Sequence, residues 1–192
     1  MNENLQDYIQ RAEFISHEEA DKVVDTLNTE TTWKPYPYED KDYNICVQEY
    51  PEIPYLVTSL NSDHDTSKFL ASKIDIIIDN YVNEFLHDVF WFTEWNNKSH
   101  FHYIKYPKNT GMETHCDHVR HTFDGEQRGI PILSIIGTFN GDYKGGELLF
   151  LPDTKIRLNK GEVVIFPSNF LYPHKLLEIT KGVRYSFIVW VW

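Results

Sequence analysis

From about Ser99 to Trp192 the chain is a succession of short extended runs broken by turn residues, and few architectures absorb so many strands in so little length. Strands are predicted near residues 101–106, 112–115, 132–139, 147–150, 155–158, 163–166, 172–178 and 184–192. Pro107-Lys108-Asn109, Asn140-Gly141-Asp142, Pro152-Asp153, Asn159-Lys160-Gly161 and Lys181-Gly182 punctuate them. Each turns the chain through proline's fixed φ, glycine's freedom or an Asn/Asp side chain that bonds its own backbone. About eight short strands in under a hundred residues predict a double-sheet jelly roll.

The first third reads differently. Ser16 followed by Glu19 in SHEEADKVVDTLN is a capping-box pattern, and Val23, Val24 and Leu27 give the helix behind it an apolar face. A second helix is predicted near residues 66–87, where Phe69, Leu70, Ile74, Ile77, Ile78, Tyr81, Val82 and Phe85 recur at three- and four-residue spacing. Between the two, TTWKPYPYEDKDYNICVQEYPEIPYL is aromatic and proline-rich, which fits extended segments, either as a substrate loop or as a packed connection. The expected class is α+β, a jelly-roll (double-stranded β-helix) barrel braced by N-terminal helices. Residues 1–98 would form a helical and extended region packed on a core of residues 99–192, the whole being one structural domain.

Composition bounds the partners. A chain of 192 residues with 41% hydrophobic and 15% aromatic content can bury one sizeable core. A formal charge of −11 opposes wrapping a nucleic-acid backbone, which draws on many lysines and arginines, so no nucleic acid is expected. An acidic surface suits basic peptides or proteins, or simply solubility. MNENLQDYIQRAEF carries early acids and no apolar run, and no stretch approaches the roughly 18 apolar residues of a membrane span, so a cytoplasmic protein with no membrane partner is expected. Cys46 and Cys116 are too few for a disulfide framework or thiolate zinc site and are read as reduced thiols.

The chemistry-bearing residues are His115-Cys116-Asp117, His174 and Arg184-Tyr185-Ser186. With nine histidines in the chain a lone His-x-Asp carries little weight, and His17-Glu18-Glu19 supplies a similar pair. Position strengthens it: on a strand, residues two apart share a face, so His115 and Asp117 can both enter the barrel while Cys116 points away. Two imidazoles and a carboxylate can occupy one face of an octahedral metal and leave the other open, the ligand set that suits non-haem Fe(II). Arg184 lies ten residues beyond His174, a spacing expected to seat it beside that histidine across the Lys181-Gly182 turn. An arginine inside a barrel is costly unless it meets an anion, and Ser186, on the same face, can add a hydroxyl. The loop HVRHTFDGEQRG, with His118 and His121, either covers the pocket or is solvated surface.

Over residues 100–192 these features, in order, resemble the 2-oxoglutarate and Fe(II)-dependent dioxygenases, in particular their prolyl 4-hydroxylase-like branch. The motifs are Tyr106 nine residues before His115, His115-x-Asp117, Gly145-Gly146-Glu147-Leu148, Leu158-x-x-Gly161-x-x-Val164-Ile165-Phe166-Pro167, His174, and Gly182-x-Arg184-Tyr185-Ser186. Arg184 stands where many prolyl 4-hydroxylases carry lysine, and Met112 where they carry tyrosine. The resemblance implies His115, Asp117 and His174 as iron ligands. It implies Arg184 as partner of the distal carboxylate of 2-oxoglutarate, with Ser186, Tyr106 and Ser134 as donors around it. Trp190 resembles an aromatic on the substrate side, or is a core tryptophan. No catalytic residue beyond the iron centre is implied; the cofactors would be Fe(II), 2-oxoglutarate and O2, with ascorbate as a reductant. The implied reaction hydroxylates a C–H bond of a protein or peptide, with release of succinate and CO2. The alternatives are the same chemistry on a small metabolite, a cupin-type metal protein without 2-oxoglutarate, and a non-catalytic module that has kept the barrel.

Overall fold

The computed structural model describes residues 4–35, 38–39, 45–46, 55–57, 60, 62–86, 94–117, 129–150 and 152–192. After a short 3-10 turn, Leu5–Tyr8, come β1 (Gln10–Glu13), α1 (His17–Thr29), β2 (Trp33–Pro35), β3 (Tyr38–Glu39), β4 (Ile45–Cys46), β5 (Tyr55–Val57) and α2 (Asp65–Phe85). The second half holds β6 (His102–Tyr106), β7 (Met112–His115), β8 (Leu133–Thr138), β9 (Lys144–Gly145), β10 (Leu148–Phe150), β11 (Thr154–Ile156), β12 (Glu162–Pro167), β13 (His174–Leu176), β14 (Ile179–Lys181) and β15 (Arg184–Val191). Both helices fall where the apolar spacing predicts them. The capping box of α1 is complete: the Ser16 hydroxyl accepts from the Glu19 amide at 3.2 Å, and the Glu19 carboxylate accepts from the Ser16 amide at 2.8 Å. At α2 the imidazole of His64 takes the capping role, accepting from the Thr66 amide at 3.2 Å.

Seven strands pair in the order β1-β12-β8-β15-β6-β5-β2, and four in the order β11-β10-β13-β7, with β14-β9 as a short ribbon. The ladders among them are antiparallel. The central strands of the large sheet are buried on both faces, and strand alternation divides their residues between two cores. Tyr103, Leu133, Ile135, Val163, Ile165, Phe187, Val189 and Val191 join Ala20, Val23 and Leu27 of α1 and Leu70, Ile74, Ile77, Ile78 and Tyr81 of α2 in one apolar cluster. Their neighbours Ile104, Tyr106, Ile136, Val164, Phe166 and Ile188 join Leu148, Phe150 and Leu176 of the smaller sheet in the other, the barrel interior. Phe187 reaches the centre of the first cluster because Gly137 faces it in register; a β-carbon on Gly137 would lie 2.2 Å from the Phe187 ring.

Two features differ from the sequence expectation. The return strand does not seat Arg184 beside His174: β13 belongs to the four-stranded sheet and β15 to the seven-stranded one, with β14 between them in sequence and paired to β9. The intervening residues form a ribbon with β9, which carries the chain from one sheet to the other. Both edges of the large sheet come from the N-terminal region: β1 pairs with β12, and β5 with β6. Residues 118–128, most of the loop read as either a pocket cover or solvated surface, lie outside the described residues, as do parts of the 31–56 segment.

The helix–sheet cluster sets a stability contrast along one helix. Leu70 is fully buried and Ile76, six residues on and on the opposite face, is 57% exposed. Leu70→Ala should lower unfolding free energy by about 2–5 kcal/mol, and Ile76→Ala by less than about 0.5 kcal/mol, measured by urea denaturation.

Candidate metal centre

β7 and β13 bring two imidazoles together. His115 is opposite His174 in the ladder, but Met112 is opposite Leu176, so three steps along β7 match two along β13. This is a bulge, and it inverts the side-chain parity of β7 between its ends. Met112 packs on the inner cluster and His115 meets His174, although the two stand an odd number of residues apart. The rings lie 4.6 Å apart, centroid to centroid, at 54°.

Asp117, just past the end of β7, completes the group. Its Oδ1 is 3.4 Å from His115 Nε2 and its Oδ2 3.8 Å from His174 Nε2, and the potential ligand atoms of the three residues all lie within 4.8 Å of one another. The Asp117 side chain is 3% exposed and that of His174 2%. Both Nδ1 atoms face backbone carbonyls, that of His115 at 2.7 Å from Glu113 O and that of His174 at 3.1 Å from Tyr172 O. A proton on each Nδ1 satisfies those carbonyls and makes Nε2 of each ring the atom that can bind a metal once it carries no proton, the arrangement of metal-binding histidines. Phe150 and Phe166 hold the His174 ring, at 5.3 and 4.9 Å between centroids.

Charge is balanced locally. Burial opposes ionisation of Asp117, but hydrogen bonding from His115, the nearby His174 and the Ser134 hydroxyl outweigh it and hold the carboxyl below its usual range. Burial pushes His174 down, and the Asp117 charge opposes it without winning. For His115 the order reverses: burial lowers it, yet the hydrogen bonds to Asp117 and Glu113 together raise it. Cys116, between two members of the group, keeps a free thiol that burial pushes up, so it stays protonated and does not join them.

Among the described residues, five buried side-chain polar atoms lack a hydrogen-bond partner: Asp117 Oδ2, His174 Nε2, Arg184 Nε, Trp190 Nε1 and Trp33 Nε1. The first four belong to inward-facing residues of the barrel. Two electron-pair donors left unpaired side by side are what a cation would satisfy, so the residues fit a metal.

Arg184 enters from the opposite sheet. It is 2% exposed, its guanidinium lies 5.6 Å from the Tyr106 ring centroid, and Tyr106 is its ladder partner on β6. No ion pair to Arg184 forms among the described residues. Gly146, at φ 70°, makes room for Ile179 near it: a β-carbon there would be 2.4 Å from Ile179 Cδ1, while Arg184 Cδ would be in ordinary contact at 3.4 Å. Ser186, two residues on and on the same face, donates its hydroxyl proton to Gly137 O at 2.6 Å. Ser134 is not grouped with Arg184. It is opposite Trp190 in the ladder, its hydroxyl lies 2.6 Å from that of Ser168, and it acts on Asp117, so it stands at the metal end. Six residues of strand, about 20 Å, separate Arg184 from Trp190, whose indole packs on the inner cluster. The neighbour that sequence reasoning passed over is His102, whose ring meets Trp190 at 4.8 Å; its only sequence signal is its even spacing from Ile104 and Tyr106.

Comparison with known proteins agrees with this geometry. The family model of the 2OG-Fe(II) oxygenase superfamily matches residues 101–192. PKHD-type hydroxylases of Prochlorococcus marinus are similar: that of strain AS9601 is 32% identical over 92 residues, and that of strain MIT 9515 28% identical over 93. These stretches cover 46–47% of this chain and 39–41% of the relatives, so the chain spans about two fifths of their length. In structure, a prolyl hydroxylase from Trichoplax adhaerens, solved with a hypoxia inducible factor peptide fragment, superposes at TM-score 0.70 with 13% identity, covering 96% of this chain and 83% of that one. A Pseudomonas putida prolyl-4-hydroxylase gives 0.67 and 16%, with 96% and 91% covered. A viral collagen prolyl hydroxylase from Paramecium bursaria Chlorella virus-1, in its 2OG complex, gives 0.64 and 15%, with 96% and 94% covered. Residues 101–192 thus match the 2OG-Fe(II) oxygenase superfamily in sequence, and the chain shares the fold of prolyl hydroxylases.

Proposed function

We propose that the protein is an Fe(II)- and 2-oxoglutarate-dependent hydroxylase of prolyl 4-hydroxylase type, acting on a protein or peptide with release of succinate and CO2. The observation that carries this reading is the set of unpaired buried atoms: Asp117 Oδ2 and His174 Nε2 facing one another, and Arg184 Nε in the same barrel. A metal-only cupin-type site would account for the first pair and leave the buried guanidinium without an anion.

In this reading His115 and His174 hold the iron through Nε2 and Asp117 through its carboxylate, each imidazole oriented by the carbonyl at its Nδ1. Iron with 2-oxoglutarate and O2 supplies the oxidising power that a C–H hydroxylation needs. Arg184 binds the distal carboxylate of 2-oxoglutarate, its guanidinium braced by Tyr106. The Ser186 hydroxyl joins them by turning from Gly137, while Ser134 steadies Asp117. Apolar neighbours exclude water around the group, which strengthens each of these charge contacts. The free thiol at Cys116 fits a reducing compartment, so we place the protein in the cytoplasm, with ascorbate as an auxiliary reductant. We also read residues 1–98 and 99–192 as one structural unit, the helices bracing the large sheet through the cluster they share with it.

The test is an anaerobic titration of metal-free protein with Fe(II) and then 2-oxoglutarate, followed by the weak visible charge-transfer band of the chelate. A saturable band is expected, lost in His174→Ala. In Arg184→Ala the iron should still bind, while 2-oxoglutarate affinity drops by about 2–5 kcal/mol, the cost of removing one partner of a desolvated charge pair. Bands of wild-type strength in both variants would sink the assignment. Metal should also stabilise the fold, because the unfolded chain offers no assembled site. At a free metal concentration 100 times its Kd, unfolding free energy should rise by about 2.7 kcal/mol. Chelator should reverse that gain, and Asp117→Ala should not show it; denaturation with and without metal measures both.

A further inference from the structure

The metal and the dicarboxylate account for three of the four unpaired atoms inside the barrel. The fourth, Trp190 Nε1, is a donor with nothing to donate to among the described residues. Ladder register locates it. Asp117 is met by Ser134, Ser134 is opposite Trp190, and the Trp190 ring contacts His102 edge-on at 4.8 Å and 60°. His102 is opposite Ile188 and shares the inward face of β6 with Ile104 and Tyr106. It is half-buried, and neither ring nitrogen has a hydrogen-bond partner among the described residues. These steps form a wall running from the metal group away from Arg184.

The chemistry of that wall restricts what it can hold. Burial pushes the His102 imidazole down, helped by His100, so at neutral pH it is uncharged and offers one N–H and one lone pair. Trp190 adds an N–H and an aromatic face. The charges on the described inward-facing residues are Asp117 and Arg184, both committed to metal and co-substrate. A free amino acid lying here would bring an ammonium and a carboxylate against a wall that offers no counter-charge among the described residues, a heavy desolvation cost. A peptide segment brings neutral amides, whose carbonyl can accept from Trp190 Nε1 and whose polar groups match the donor and acceptor of His102.

We propose that His102 is a specificity-determining residue which, together with Trp190, reads an uncharged peptide amide of the substrate and excludes the corresponding free amino acid. The inference rests on the prolyl-hydroxylase reading above and extends it to a residue that reading does not use.

The test uses Zn(II)-substituted protein carrying 2-oxoglutarate, a diamagnetic and inert stand-in for the iron form, with 15N-labelled tryptophan. The Trp190 indole resonance is identified by its loss in Trp190→Phe. It is followed during titration with an acetylated and amidated pool of proline-centred pentapeptides, and separately with free L-proline. The pool should shift the resonance saturably, and L-proline should not at equal concentration. His102→Phe keeps a ring against Trp190 but removes both nitrogens, and should weaken pool binding by about 5- to 10-fold, one to two hydrogen bonds' worth. His102→Asn restores a donor and an acceptor and should recover affinity to within about 2-fold of the parent, which a merely structural histidine would not predict. Unchanged affinity in His102→Phe, tighter binding of L-proline than of the pool, or no shift from either ligand in protein that holds zinc and 2-oxoglutarate would overturn the inference while leaving the cofactor assignment intact. Failure to take up zinc and 2-oxoglutarate would instead defeat the underlying reading, and the inference with it.

Discussion

Burial on both faces of the large sheet is the constraint from which the site follows. In β8, β12 and β15 almost every residue is inaccessible, so each side chain must belong to one of two cores, and the two-residue period decides which. In β15 the period sends Phe187, Val189 and Val191 to the helices and Arg184, Ser186, Ile188 and Trp190 into the barrel. A one-residue slip would exchange the two sets, placing a guanidinium among Leu27, Leu70 and Ile78. The apolar packing of the outer face therefore fixes the register of the polar groups on the inner one. The bulge between β7 and β13 is the local exception that the metal group needs, since regular pairing would keep Met112 and His115 on opposite faces.

What the barrel gathers is a set of polar atoms left unmet by one another. An unsatisfied buried donor or acceptor costs about 1–3 kcal/mol, and a charged one more. Asp117, His174, Arg184 and Trp190 together form a concentrated debt against the apolar clusters around them. Their chemistry is complementary to three kinds of guest: a cation for the carboxylate and imidazole, an anion for the guanidinium, and a neutral acceptor for the indole. The separation along β15 keeps these roles apart, so that the anion-binding end and the Trp190 end do not compete for one ligand.

Much of this was legible before any coordinates. The alternation in residues 184–191, the capping box at Ser16 and Glu19, and the three- and four-residue recurrence from Phe69 to Phe85 each express a local rule that tertiary structure did not override. The grouping of His115, Asp117 and His174 was legible through the pairing of chemistry with spacing. The bulge was not, because an extra residue on one strand shows only against its partner. Nor were the sheet edges: Gln10–Glu13 has four residues and only half-buried alternation, and nothing local says that β12 is open to pair. Arg184 was expected beside His174 because a hairpin is the simplest reading of ten residues around Lys181-Gly182. The insertion of β14, which depends on β9 being in reach, sends the two to facing sheets. Ser134 is placed around Arg184 by the resemblance alone, whereas in the fold it is opposite Trp190 and hydrogen-bonds toward Asp117.

The choice of arginine at position 184 has a physical consequence of its own. A lysine so deeply buried could shed its proton and become neutral, relieving the barrel of an uncompensated charge. A guanidinium has no such escape at accessible pH, so its charge persists whether or not an anion is present. The Tyr106 ring beneath it offers partial compensation through its electron-rich face. It does not supply the two in-plane acceptors that a planar fork is shaped to meet. A carboxylate would supply them, so the binding of such an anion should be coupled to the stability of the fold that presents Arg184 to it. The same coupling should act at Asp117 and His174 for a cation, because burial makes each of these residues costly unless it is paired.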